Sequence, residues 1–598
     1  MTYKHMPIKT AALALAFLAL PLRPALAADA PSRASARLAA VAAQYYEAKA
    51  RFDPVTATFS GDNRFDGELA ITIAPGEVKK RHALYRDVLR KLKAIDRGRL
   101  ARADATTYDL LEDEVRSALA FEPFQDYLLP ISHQDGLPVM LANFAGGQGP
   151  QALATVAQYD AYLRRISRLA LWNDQAIENM REGMRKGIVQ PRAIIETALP
   201  QYRALAADGV EANTFYTPIR NLPAGFSEAD RARLTAAYRD AIAQKVLPSL
   251  KKLAAFLENE YLPACRATAG WGALPDGAKW YRVWVRDQTT TDLDPDAIHA
   301  LGLKEVARIQ GEFAKVGPKL GYAGPPAGLL AWMRDDDRFR PFRSEEEILA
   351  AYRALNTKVI GKLPQLFATV PKAQLEVRPE PELTRASASD HYTPPAPDGS
   401  RPGVFWAVIN DPAKYRSTFM TTLFLHEGQP GHHFHAGLQQ EMALPKFRKF
   451  GFINAYGEGW ALYAESLGKE MGLYEDPNAY AGHLAAELVR AARLVVDTGL
   501  HDKGWSREKT IAYWRETLGS TEEAAKNNIE RYMASPGQAL GYKIGSLKIQ
   551  ELRERAARAL GPKFRLAEFH NAVLSDSNLP LRLLEAKIDR WIAQQVMQ

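Results

Sequence analysis

Apolar positions recur three and four residues apart over long stretches of the chain, the spacing of one face of an α-helix. Residues 36–52, 78–95, 152–181, 228–257 and 293–316 carry the pattern most plainly, in segments dominated by Ala, Leu, Arg, Glu and Lys. The last of these has Thr291 and Asp292 as candidate caps and Pro295 in its first turn, followed by Ile298, Leu301, Val306 and Ile309. One region departs from the helical period. Leu375, Glu376, Val377 and Arg378 alternate apolar with charged, and 403–410 is rich in β-branched and aromatic residues. Between them, Thr393-Pro394-Pro395-Ala396-Pro397-Asp398-Gly399 reads as a loop. The pattern predicts a small β-element here, either a plain structural hairpin or an edge offered to an extended peptide. From Thr418 onward helical periodicity returns. The expected fold class is therefore mainly α. A soft boundary near Arg385 separates an N-terminal helical region, 28–385, from a second helical region, 386–598. There is no internal repeat and no low-complexity linker.

Composition narrows the setting. The first residues have the form of an export leader. Lys4 and Lys9 precede an apolar run, 11–20, and Ala25-Leu26-Ala27 places small residues where a signal peptidase reads them. Residues 1–27 are predicted to be a signal peptide cleaved after Ala27, which directs the protein to the periplasm. The apolar run is too short to span a bilayer comfortably, so no stable membrane anchor is expected. Cleavage removes Lys4, Lys9 and Arg23 and lowers the formal charge of +8 by three, to +5. That charge is spread over 598 residues with no dense basic run, which argues against a nucleic-acid partner. Cys265 is the single cysteine, so no internal disulfide can form, and a small core residue is expected there. Nothing in the sequence sets an oligomeric state.

The chemistry is concentrated in one place. Four of twelve histidines fall within ten residues: His426, His432, His433 and His435. A His-Glu pair, here His426-Glu427, followed shortly by another histidine, is the core of a zinc hydrolase site, in which neutral imidazoles bind the metal and the glutamate acts as base. The usual spacing of four between the two histidines is absent, because position 430 is proline. On a straight helix His426 and His433 share a face but stand about 10.5 Å apart along the axis, and His432 stands about 9 Å away on another side. Neither can share one ion with His426 unless the helix is interrupted. Pro430 and Gly431 supply an interruption that loops out the extra residues as a bulge. His432 is the preferred second ligand and His433 the alternative. Glu458 and Glu465, seven apart on one face of an otherwise apolar helix, complete the set: Glu458 as third ligand, Glu465 as the group that orients a histidine.

These residues resemble a known family. The motifs are His426-Glu427-Gly428-Gln429-Pro430-Gly431-His432-His433 and Glu458-Gly459-Trp460-Ala461-Leu462-Tyr463-Ala464-Glu465. Arg493-Leu494-Val495-Val496-Asp497-Thr498-Gly499-Leu500-His501, Pro536 to Gly545 and Thr289-Thr290-Thr291-Asp292-Leu293 belong to the same pattern. Together they resemble the bacterial domain-of-unknown-function 885 family over nearly the whole mature chain. That family is similar to the helical zinc peptidases, such as angiotensin-converting enzyme, the thimet oligopeptidase group and helical carboxypeptidases. The resemblance implies a two-lobed helical body with a deep cleft and zinc at its floor. It also implies a downstream histidine and tyrosine that stabilise an oxyanion, for which His501 and Tyr542 are the candidates. Arg490, Arg493 or Lys543 can then hold a substrate carboxylate.

The expected function is an exported zinc peptidase acting on short peptides, with Glu427 as general base. A zinc hydrolase of another amide or ester is one alternative, and a non-catalytic periplasmic binding protein with a relic metal site is another.

Overall fold

The structure is a computed structural model that describes residues 32–597 except 135, 147–148, 208, 386–388, 396–398 and 400. The leader at 1–27 and part of the loop at 393–399 lie outside the described residues. The fold is mainly α, with one small sheet of three strands: β1 (Leu375–Pro379), β2 (His391–Thr393) and β3 (Gly403–Ala407). The sheet order is β1-β3-β2. β1 runs parallel to β3 with Val377 opposite Phe405, and β2 runs antiparallel to β3 with Tyr392 opposite the same residue. β3 is buried along its whole length, as its unbroken apolar run requires for a central strand.

Local signals explain where the helices begin and end. The periodic stretch at 293–316 forms a helix over Pro295–Val316, but the cap is Asp294, whose carboxylate accepts from the Ala297 N–H at 2.7 Å, rather than Thr291 or Asp292. The stretch at 152–181 is two helices, Val156–Ile166 and Leu169–Lys186. Thr155 and Gln158 form a capping box that sets the first start. The stretch at 228–257 stays helical but widens into π-turns at Ile242–Val246 and Leu257–Tyr261. No helix among the described residues is long and apolar enough to cross a membrane.

Six helices frame the site: α1 (Pro295–Val316), α2 (Met420–Glu427), α3 (His432–Glu441), α4 (Asn454–Ser466), α5 (Pro477–His501) and α6 (Leu540–Leu560). The most extensive helix pairings are α4 on α6 and α1 on α5. The α4–α6 contact is made through glycine. A Cβ on Gly459 would stand 2.5 Å from the Gly545 Cα, and one on Gly545 would stand 1.8 Å from the Ala455 carbonyl oxygen. Hydrophobic packing runs across residue 385. One core joins Leu38, Leu111 and Tyr281 to Phe405, Phe424, Trp460 and Ile588, whereas residues between Val55 and Tyr261 build two clusters of their own. Cys265 is half-buried against one of these clusters rather than inside it, and its thiol is pushed up to about 12, chiefly by burial.

Candidate metal centre

The predicted interruption exists, in a different form. Instead of one helix with a bulge, α2 ends at Glu427 and α3 begins afresh at His432. Gly431 makes the crossing tight, since a Cβ there would stand 2.0 Å from the His426 carbonyl oxygen. The Trp460 indole N–H donates to the Pro430 carbonyl at 2.8 Å and fastens the crossing to α4. Because α3 starts a new axis, His432 lies beside His426 rather than two turns beyond it. The two rings meet edge to face with centroids 4.8 Å apart.

One donor atom from each of His426, His432 and Glu458 lies within 4.8 Å of the others. Glu458 Oε2 is 3.5 Å from His426 Nε2 and 3.3 Å from His432 Nε2. Metal–ligand bonds of about 2.0–2.2 Å in a tetrahedron put neighbouring ligand atoms about 3.3–3.6 Å apart. The carboxylate oxygen is also buried without an aligned hydrogen-bond partner, a state that a cation at the common centre would relieve. The donor set and its spacing therefore fit a metal cation.

The electrostatics point the same way. Burial opposes charge on the Glu458 carboxyl, but the imidazoles of His432 and His426 hold it well below the usual carboxylate range. Burial likewise opposes an imidazolium at His426, while Glu458 and Glu465 pull it up to about 9. The cluster holds a positive charge between its acids, and a metal ion can take the place of that proton.

Around this centre the expected residues divide. Glu465 accepts from His426 Nδ1–H at 2.8 Å and from the Thr422 hydroxyl at 2.5 Å, which fixes the ring and turns Nε2 to the centre. His433 is turned away. Its Nε2 donates to the Ala373 carbonyl at 3.1 Å and its Nδ1 accepts from the Tyr392 hydroxyl at 3.0 Å, so neither nitrogen remains for a metal. Glu427 is half-buried at the end of α2, and among the described residues its carboxylate makes no hydrogen bond or ion pair. Tyr542, on α6, is stacked on His426 with ring centroids 6.4 Å apart.

Two expectations need correction. His501 is fully buried, with the Trp271 N–H donating to Nδ1 at 3.0 Å and Nε2 donating to the Tyr532 carbonyl at 3.0 Å. Burial lowers its pKa to about 3, and no ring nitrogen is left to meet an oxyanion. Lys543 is 0% exposed and held by Glu305 at 2.9 Å and Glu487 at 2.7 Å, in a charge cluster with Arg308 that ties α1, α5 and α6 together. It has nothing to offer a substrate.

Sequence reasoning missed Thr422 and Tyr392. Thr422 lies one helical turn before His426, a readable spacing. Tyr392 reaches His433 from β2, which no local pattern announces.

Fold and cluster together define a mainly helical protein with a His-His-Glu site at the junction of α2, α3 and α4. The chain belongs to the family described as bacterial protein of unknown function (DUF885), whose pattern matches residues 54–588. Two solved structures are similar. One, of a candidate lipoprotein from Colwellia psychrerythraea, is 29% identical and aligns over 94% of this chain and 99% of its own, with a TM-score of 0.87. The other, of a candidate lipoprotein of unknown function from Shewanella oneidensis, is 19% identical over 92% of this chain and 99% of its own, with a TM-score of 0.73, and shares the fold. No curated protein matches the chain.

Proposed function

We propose that the protein is an exported zinc-dependent peptidase acting on short peptides. The observation that carries this reading is the convergence of His426, His432 and Glu458, with Glu465 behind His426 and, adjacent in the chain, the carboxylate of Glu427, which is unpaired among the described residues. Two imidazoles and one carboxylate form a three-ligand set that leaves a fourth position open. Zinc held there supplies Lewis acidity at a carbonyl and makes water a stronger nucleophile. The rest falls to the chain. Glu427 takes a proton from water and returns it to the leaving amine, so that water adds across the C–N bond and the amide is cleaved. The Tyr542 phenol, whose ionisation is opposed first by burial and then by Glu458, stays protonated and can donate to the developing oxyanion.

Export is supported by the leader at 1–27 and by the similarity to proteins described as candidate lipoproteins. We infer that cleavage of the leader after Ala27 releases the chain into the periplasm.

Digestion of a peptide library, read by mass spectrometry with and without a chelator, tests the proposal. Cleavage that disappears with the chelator, returns with zinc and is lost in Glu427→Gln is expected. A stoichiometrically zinc-loaded protein that cleaves esters or small amides but no peptide would move the reading to the wider hydrolase class. A protein that takes up no zinc would leave only a binding role.

A further inference from the structure

Arg493 is a buried cation with no acid paired to it among the described residues. It is 8% exposed, its Nε donates to the Tyr532 hydroxyl at 3.0 Å, and its Nη1 is buried without a hydrogen-bond partner. Among the described residues no carboxylate forms an ion pair with it. Burying a guanidinium this way is costly unless something compensates it. Part of the compensation comes from rings, since the guanidinium lies 4.5 Å from the Tyr542 ring centre and 5.7 Å from that of Tyr532. An acid whose charge bears on it is Glu458, which belongs to the candidate metal centre.

A second guanidinium shares the place. Arg490, one helical turn earlier on α5, lies 5.9 Å from the same Tyr542 ring, and its Nε is also buried without a partner. Its contact with Glu465 is long, at 3.5 Å. It also lines a cavity of about 370 Å³ together with Thr422 and Glu465. Two incompletely bonded guanidinium groups thus flank the tyrosine that stacks on a metal-site histidine. A planar anion with several acceptor oxygens matches such donors best, and in a peptide that anion is a carboxylate.

Distance sets which carboxylate. Arg493 is 4.5 Å from a ring whose centre is 6.4 Å from that of His426. An extended chain advances about 3.3–3.6 Å per residue, so the anion lies no more than about three residues from the bond being cut.

We propose that Arg493, assisted by Arg490, anchors the free C-terminal carboxylate of a peptide, so that the enzyme removes one to three residues from the C-terminal end. This rests on the peptidase reading above and names its substrate class. Arg493 acts here as a binding residue: it positions the scissile carbonyl at the metal centre and takes no part in proton transfer.

The test uses pairs of peptides identical except for a free or an amidated C-terminus. The zinc-loaded full chain is expected to cleave the free acid about a hundredfold better in kcat/KM, the effect expected of one buried charge pair. Calorimetry on zinc-loaded Glu427→Gln, which reads binding without turnover, should show the same preference. Arg493→Gln should abolish it and Arg493→Lys should retain part of it. Because the acid–amide comparison is made on a chain whose Arg493 is intact, it stands even if Arg493 variants fold poorly. Equal binding of acid and amide, or an undiminished preference in a folded Arg493→Gln, would overturn the proposal. If nothing is cleaved but acid and amide bind unequally, and the difference depends on Arg493, the carboxylate site stands and the peptidase reading falls.

Discussion

The carboxylate of Glu465 lies 2.8 Å from Nδ1 of His426, while Glu458, two turns earlier on the same helix, lies 3.5 Å from the opposite ring nitrogen. One imidazole is thus held between two acids of α4, one aligning it and the other sharing its candidate metal position. Replacing Glu465 by Gln keeps the shape but weakens the hydrogen bond that orients the ring. Zinc affinity, measured by competition with a chromogenic chelator, should fall by about 10–100-fold without loss of stoichiometry at saturating metal.

The ligand set can be separated one histidine at a time. Purified protein should hold one zinc per chain by elemental analysis. His426→Ala, His432→Ala and Glu458→Ala should lose it, and His433→Ala should keep it. The last variant should instead be destabilised by about 1–3 kcal/mol, because the Tyr392 hydroxyl and the Ala373 carbonyl lose their buried partner. Zinc loss in His433→Ala with retention in His432→Ala would reverse the assignment.

Glu427 is the predicted base. In Glu427→Gln, kcat on any peptide cleaved by the native chain should fall by at least about 10²–10⁴-fold while the metal content stays at one. Normal turnover in that variant would remove Glu427 from the chemistry.

Asp497 gives a pH signature unrelated to catalysis. It is fully buried, and burial pushes its carboxyl up to about 7, partly offset by donation from the Tyr281 hydroxyl at 2.6 Å and the Gly537 N–H. A raised acid is favourable to the fold when protonated. Its contribution is present below about pH 4 and is lost as pH rises towards 7. Asp497→Asn can accept both hydrogen bonds and cannot ionise. Its stability relative to the native chain should therefore grow between pH 5 and 8, to at most about 4 kcal/mol, as read by urea midpoints. A constant difference across that range would mean that Asp497 is not protonated in the fold.

Lys543 should prove structural. Lys543→Met leaves Glu305 and Glu487 with Arg308 as their remaining cation, and removing one member of a buried charge cluster costs about 3–5 kcal/mol. A large fall in denaturation midpoint is expected, along with unchanged metal content in whatever fraction folds.

Much of this was readable in advance because it depends on local pattern. The helices, the small β-element before the histidines, and the pairing of Glu458 with Glu465 all follow from period and spacing. Spacing also showed that a straight helix could not bring His426 and His432 together. It did not show that two separate helices would do so, because that solution needs the Trp460 bond to Pro430 across thirty residues. His432 and His433 cannot be told apart by sequence, since each differs only in what lies opposite it, and the groups that claim His433 come from β2 and the segment before β1. Lys543 and His501 misled for the same reason: their partners are distant in sequence, and a charged residue in a motif reads the same whether it meets a ligand or a neighbouring helix.

The glycine crossing of Gly459 and Gly545 has an effect that reaches the site. α4 carries Glu458 one residue before that crossing, and α6 carries Tyr542 three residues before it, so the gap between the Glu458 carboxylate and the phenol is gauged by touching main chains rather than by side chains. Such a gauge has no fine adjustment. The smallest step available to mutation is a methyl group, and a methyl at either position forces the two helices apart.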